Sequence, residues 1–137
     1  MESYFISYAH ADKKEVFPIL KFLGENNIEI WYDEGIPITK NWEETIISKL
    51  DPSRGLIVFI SNNLMRSQNC KNEILDALDN QKMIIPIYIE NVVLDQRLMF
   101  KRLQDIQGLM KHELKENVFY QKLLQTVKTK NKKKEQY

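Results

Sequence analysis

This sequence predicts an α/β fold in which one parallel sheet is covered by helices on both faces. Short apolar runs of strand length alternate with segments whose apolar residues recur at helical spacing. One run, Leu56-Ile57-Val58-Phe59-Ile60, is apolar throughout, as suits a central parallel strand buried on both sides. A length of 137 residues fits one domain with one core.

Each element has its own local signal. Tyr4-Phe5-Ile6-Ser7-Tyr8 is a short apolar strand. Asp12, with Glu15 three residues on, reads as a capping box, and Val16, Ile19, Leu20 and Leu23 then fall on one helical face. Gly24 and the pair Asn26-Asn27 stop that helix, because Gly and Asn tolerate the left-handed cap. Ile28-Glu29-Ile30-Trp31-Tyr32 is the second strand, with Trp31 and Tyr32 read as packing residues, and Asp33-Glu34-Gly35-Ile36-Pro37 is loop chemistry. Asn41 with Glu44 opens a helix through Ile46, Ile47 and Leu50, which Asp51-Pro52-Ser53-Arg54-Gly55 ends. Leu56 to Ile60 is the third strand. A helix is expected over 67–80, with Cys70, Ile74, Ala77 and Leu78 as its apolar stripe. The fourth strand covers 83–89, with a bend or bulge expected at Pro86, which cannot donate to the ladder. A short helix over 96–103, a weak fifth strand at Asp105-Ile106-Gln107 and a last helix over 116–127 complete the pattern.

Right-handed crossovers restrict this series to a doubly wound sheet, and the flavodoxin-like order 2-1-3-4-5 is the expectation for its five strands. Ligands of such sheets sit beyond the carboxyl ends of the strands, which points at the loops after Tyr8, Tyr32 and Ser61. The domain is expected to span 1–127. The last ten residues, 128–137, crowd Lys128, Lys130, Lys132, Lys133 and Lys134 into a solvated, disordered tail or linker, with binding to an anionic surface as the weaker reading.

Composition excludes several classes. The net charge of +1 singles out neither nucleic acid nor an anionic membrane as partner. The apolar runs fall far short of the roughly 20 residues of a membrane span. No basic leader precedes the first strand, so a cytoplasmic location is expected. Cys70 is the single cysteine and cannot form an internal disulfide. With only His10 and His112 beside it, no metal site is expected. There is no G-x-G-x-x-G, no phosphate-binding P-loop and no G-x-S-x-G elbow. The third strand ends Phe59-Ile60-Ser61-Asn62-Asn63, without the Asp of a phosphoacceptor site.

What remains is a constellation at the strand ends: Ser7-Tyr8-Ala9-His10-Ala11-Asp12, then Asp33-Glu34-Gly35 and Trp42, then Ser67-Gln68-Asn69-Cys70-Lys71-Asn72-Glu73. Glu73 lies at about 90° from the centre of its helix's apolar stripe, at about 100° per residue, as suits a carboxylate at a cleft wall. Read without a family, Glu73 is an ordinary solvated acid, Trp42 a core residue, Tyr8 a strand-end packing residue, His10 a solvated loop histidine and Cys70 a small buried residue on its helix.

Three segments resemble Toll/interleukin-1 receptor (TIR) domains. Phe5-Ile6-Ser7-Tyr8 with Ala11-Asp12 is similar to the family's first box. Trp31-Tyr32-Asp33-Glu34 and Trp42 leading to Ile46 are similar to the second region with its BB loop, and Ser67-x-x-Cys70-x-x-Glu73 resembles the S-x-x-C-x-x-E segment of bacterial and plant-like members. Pro86-Ile87 matches the family's fourth strand, and the likeness runs from about Tyr4 to Val127.

The resemblance implies cleavage of the nicotinamide–ribose bond of NAD+, to ADP-ribose or a cyclic isomer, in immune or cell-death signalling. Glu73 would be the catalytic residue. Tyr8, Ala9, His10, Trp42, Ser67 and Cys70 would contact NAD+, which is substrate, with no further cofactor. It also implies self-association through the BB loop, residues 33–42, into a homo-oligomer when active. The chain departs from the family at Ile38-Thr39-Lys40-Asn41, where related loops carry a glycine, and this predicts a stiffer or differently shaped loop. The competing reading is a non-catalytic TIR–TIR scaffold. The chemistry fits the enzyme: nicotinamide departs neutral without a general acid, and one carboxylate can stabilise the oxocarbenium ion left on the ribose.

Overall fold

The computed structural model describes residues 3–32, 55–92, 94 and 98–135. The loop 33–42 with Trp42, and the helix expected from Asn41 through Leu50, lie outside the described residues. Among the described residues, four strands form one parallel sheet: β1 (Ser3–Ser7), β2 (Glu29–Tyr32), β3 (Gly55–Ile60) and β4 (Met83–Tyr88), in the order β2-β1-β3-β4. The helices are α1 (Lys13–Glu25), α2 (Asn62–Met65), α3 (Gln68–Asp79), α4 (Leu98–Gln104) and α5 (Glu116–Glu135). Short 3-10 turns stand at His10–Asp12 and Lys111–Glu113.

The two-residue period of the strands divides the core in two. Tyr4 and Ile6 of β1, Ile57 and Phe59 of β3, and Ile85 and Ile87 of β4 face α1 and α5, where Val16, Ile19, Leu23, Phe119 and Leu123 are buried. Phe5, Leu56, Val58, Ile60 and Ile84 face the opposite way, onto Leu64, Cys70, Ile74, Ala77 and Leu103 of α2, α3 and α4. Every residue of β3 is buried, which is why its sequence shows no alternation. Gly55 begins this strand instead of closing the preceding loop. A Cβ there would stand 2.5 Å from the Met83 carbonyl oxygen, so the close approach of β3 to β4 requires glycine.

Pro86 causes neither bend nor bulge in the pairing. β3 and β4 stay in unbroken register from Gly55 opposite Met83 to Ile60 opposite Tyr88. The Pro86 carbonyl accepts from the Leu109 N–H at 2.8 Å, so its donor-less nitrogen also faces the outer side of β4 and costs β3 nothing. Among the described residues, β4 is flanked by a single parallel bridge between Leu109 and Ile87, and the predicted Asp105-Ile106-Gln107 forms no strand. Asp105 and Ile106 turn the chain, and Ile106 packs against the core. The bridge to β4 forms at Leu109, just after Gly108, where a Cβ would meet the Tyr88 ring at 2.7 Å.

The last helix does not stop at Val127. Its backbone continues through the lysine-rich segment to Glu135. No helix among the described residues is long and apolar enough to cross a membrane.

Candidate functional site

The carboxyl end of β1 presents alternate residues to opposite faces. Ser7 follows Phe5 on the side that meets α3, and Tyr8 follows Tyr4 and Ile6 on the side of α1. Beyond β1 the chain folds into the 3-10 turn, closed by the Asp12 N–H donating to the Ala9 carbonyl at 2.8 Å. Asp12 occupies the N-cap of α1, yet its side chain caps nothing. Its carboxylate instead accepts from the Ser61 hydroxyl and, at 2.8 Å, from the Asn63 amide. The capping box expected at Asp12 and Glu15 is therefore replaced by a tie across the sheet. A buried hydroxyl at the end of β3 offers the carboxylate a better partner than a solvent-facing amide does. Ser61 also accepts from the Leu64 N–H at 3.0 Å and so caps α2, an element with no counterpart in the sequence reading.

α3 brings the second wall. Its N-cap is Ser67, whose hydroxyl accepts from the Cys70 N–H at 3.2 Å. Cys70, Glu73, Ile74 and Ala77 are its buried residues. Glu73 is thus more enclosed than its angular offset suggested, with only 6% of its surface exposed. The neighbouring strand covers the flank of the stripe that helical geometry alone leaves open. The Ser7 hydroxyl, itself buried, donates to Glu73 Oε1 at 3.3 Å. One turn earlier, the Cys70 thiol donates to the Tyr8 carbonyl at 3.4 Å and fastens the first loop to α3. Burial pushes this thiol up to about 11, and the nearby Glu73 carboxylate adds to the rise. At neutral pH Cys70 is a protonated donor and not a nucleophile.

Between these walls lies a pocket of about 250 Å³ lined by Ile6, Tyr8, Ala9, His10, Ser67, Asn69, Cys70 and Glu73. The expected residues Tyr8, Ala9, His10, Ser67, Cys70 and Glu73 therefore meet in one hollow. Trp42 lies outside the described residues. Tyr8 stacks on the exposed His10 ring with centroids 5.6 Å apart and planes 10° apart. Tyr32 and Phe17 pack around Tyr8 from the α1 side, at 6.2 and 6.0 Å. Trp31 stacks on Phe5 at 5.9 Å, which agrees with its reading as a packing residue.

Sequence reasoning missed Ser7 and Asn69. Ser7 carried a legible signal: a hydroxyl between Phe5 and Ala9 on a buried strand face requires a buried partner. Chemically, the hollow offers one enclosed carboxylate, a hydroxyl that orients it, and stacked rings at its mouth.

A family model described as the TIR domain matches residues 5–124. Among solved structures, the TIR domain of the Toll-related receptor TRR-2 from Hydra magnipapillata superimposes with a TM-score of 0.76 at 20% identity, covering 93% of this chain and 99% of that one. The TIR domains of the activated Roq1 resistosome, which directly recognises the pathogen effector XopQ, give 0.76 at 16% identity with the same coverage, 93% and 99%. At these identities the structures speak for the fold alone. A search of curated proteins found no significant match. The family match covers the sheet and the Glu73 hollow alike, and the chain belongs to the TIR-domain family.

Proposed function

We propose that this TIR domain is an NAD+ nucleosidase in which Glu73 is the catalytic carboxylate. The observation that supports this most directly is a buried glutamate, held by a buried serine, in the wall of a hollow shared with the first loop. In the reaction the bond between ribose C1′ and the nicotinamide nitrogen breaks, and its electron pair leaves with neutral nicotinamide. The Glu73 carboxylate stabilises the positive charge that develops on the ribose. Water then adds to C1′ and loses a proton, giving ADP-ribose. Attack by a group of the substrate's own adenosine half would give the cyclic isomer.

The pocket's 250 Å³ lies just below the roughly 300–1,000 Å³ of ordinary small-molecule sites. It suits the nicotinamide riboside end of the dinucleotide, with His10 at its mouth and the remainder of the substrate outside. Ser67, Cys70 and the Tyr8–His10 loop shape the hollow, and Trp42 is assigned to substrate contact on the family resemblance. We place the activity in defence or cell-death signalling, with assembly through the 33–42 loop as its switch.

The test is product analysis of NAD+ incubated with wild type and Glu73→Gln at high protein concentration. The substitution is expected to lower nicotinamide release at least about a hundredfold, equivalent to about 2.7 kcal/mol of transition-state stabilisation. Undiminished release from the variant would remove Glu73 from the chemistry. Wild-type protein that self-associates yet leaves NAD+ intact would identify a scaffold instead.

A further inference from the structure

Three polar or charged side chains are buried among the described residues: Ser7, Ser61 and Glu73. Ser61 is accounted for by Asp12 and by the cap of α2. The other two are bonded to each other across 66 positions of sequence. Ser7 ends the central strand on the face where its neighbour Phe5 packs as an apolar side chain. A buried hydroxyl on an apolar strand face needs a bonding partner, and here the partner is Glu73. The Cys70 thiol, one turn earlier on α3, donates to the Tyr8 carbonyl.

We propose that Ser7 is a positioning residue for Glu73, its hydroxyl holding the carboxylate ionised and fixed in the pocket wall. This inference rests on the reading of Glu73 as the catalytic group. A glutamate side chain has three rotatable bonds, and a charge-stabilising role requires its oxygens to be set before the ribose cation forms. A strand end supplies that setting better than a loop does, because β1 is paired on both sides, with β2 and with β3. A donated hydrogen bond also favours the charged carboxylate over the neutral acid. The titratable groups around this part of the pocket are Tyr8, His10 and Asp12 on and after β1 and Cys70 on α3; the Ser7 hydroxyl also bonds the Cys70 thiol and holds its pKa down, so Cys70 is titrated beside Glu73 in each variant.

The experiment compares Ser7→Ala, Ser7→Thr and Ser7→Val. Thr and Val have nearly the same shape, and only Thr keeps the hydroxyl. Two readouts are taken on each folded variant: the side-chain carboxyl titration of Glu73 by carbon-13 NMR, and kcat and KM for NAD+ across pH. In Ser7→Ala and Ser7→Val, the Glu73 titration and the acid limb of kcat are expected to move to higher pH. In both, kcat is expected to fall about tenfold with KM little changed. Ser7→Thr restores both readouts. A Val variant that behaves like Thr, or an Ala variant whose Glu73 titration does not move, overturns the proposal. If wild type leaves NAD+ intact while the titration shifts as described, the Ser7–Glu73 linkage stands and the enzymatic reading falls.

Discussion

One helical turn of α3 separates two acids of opposite use. Glu73 lines the hollow and its carboxylate bonds Ser7, while Cys70 meets the first loop through its thiol. The thiol ties chemistry to stability. Its folded value of about 11 stands above the ordinary 9.0, so the unfolded chain gives up the proton first as pH rises. Below pH 9 both states are protonated and the fold keeps its full stability. Between pH 9 and 11 the folded state loses stability, by up to about 2–3 kcal/mol at about 1.4 per unit. Tyr4, pushed up to about 12 by burial, extends the loss above pH 10. Urea melts at pH 7 and at steps between 9 and 11 should show this decline, and Cys70→Ala should flatten it. At this scale the sequence was informative wherever helical or strand period assigned a residue to a face, as for Cys70, Trp31 and Tyr32. It was less so for Glu73, whose burial comes from a strand that lies far away along the chain.

At the scale of elements, most punctuation marks were local. α1 ends where Asn26-Asn27 predicted: Asn27 takes φ 64°, the Asn27 N–H bonds Gly24, and the Ile28 N–H bonds Leu23 at 3.0 Å. α3 ends the same way, with the Lys82 N–H on Ala77 at 2.9 Å, but its left-handed residue is Gln81 at φ 55°. Nothing in a glutamine announces that conformation, so this cap was not legible. It is also strained, because a side chain in the left-handed region costs about 1–2 kcal/mol. Gln81→Gly should therefore stabilise the domain by about 0.5–1 kcal/mol after the glycine's added unfolded-state entropy, and raise Tm by a few degrees. Gln81→Ala, which keeps the Cβ, should not. Calorimetry of the two variants decides. The opposite error occurred at Asp12, where a sound local signal lost to a distant hydroxyl and amide.

For the whole molecule, the pocket is smaller than the substrate proposed for it. About 250 Å³ encloses one end of a dinucleotide, so the other end needs a wall from elsewhere. If a second copy supplies it, as the family resemblance implies, NAD+ cleavage per mole of protein should rise with protein concentration. It should fall back on dilution, in step with self-association followed by light scattering. A specific activity independent of concentration would assign the whole site to one chain.

Taken alone, the sequence was sufficient for the order of the four main strands, because hydrophobic period, turn residues and crossover handedness are local or nearly universal constraints. They determined a parallel sheet with β1 and β3 at its centre and pointed to the strand ends where the hollow lies. Only the tertiary structure decided the pairings across distant segments: Ser7 with Glu73, Asp12 with Ser61 and Asn63, and Leu109 with β4. Those choices depend on which buried polar groups arrive within bonding distance once the core has closed.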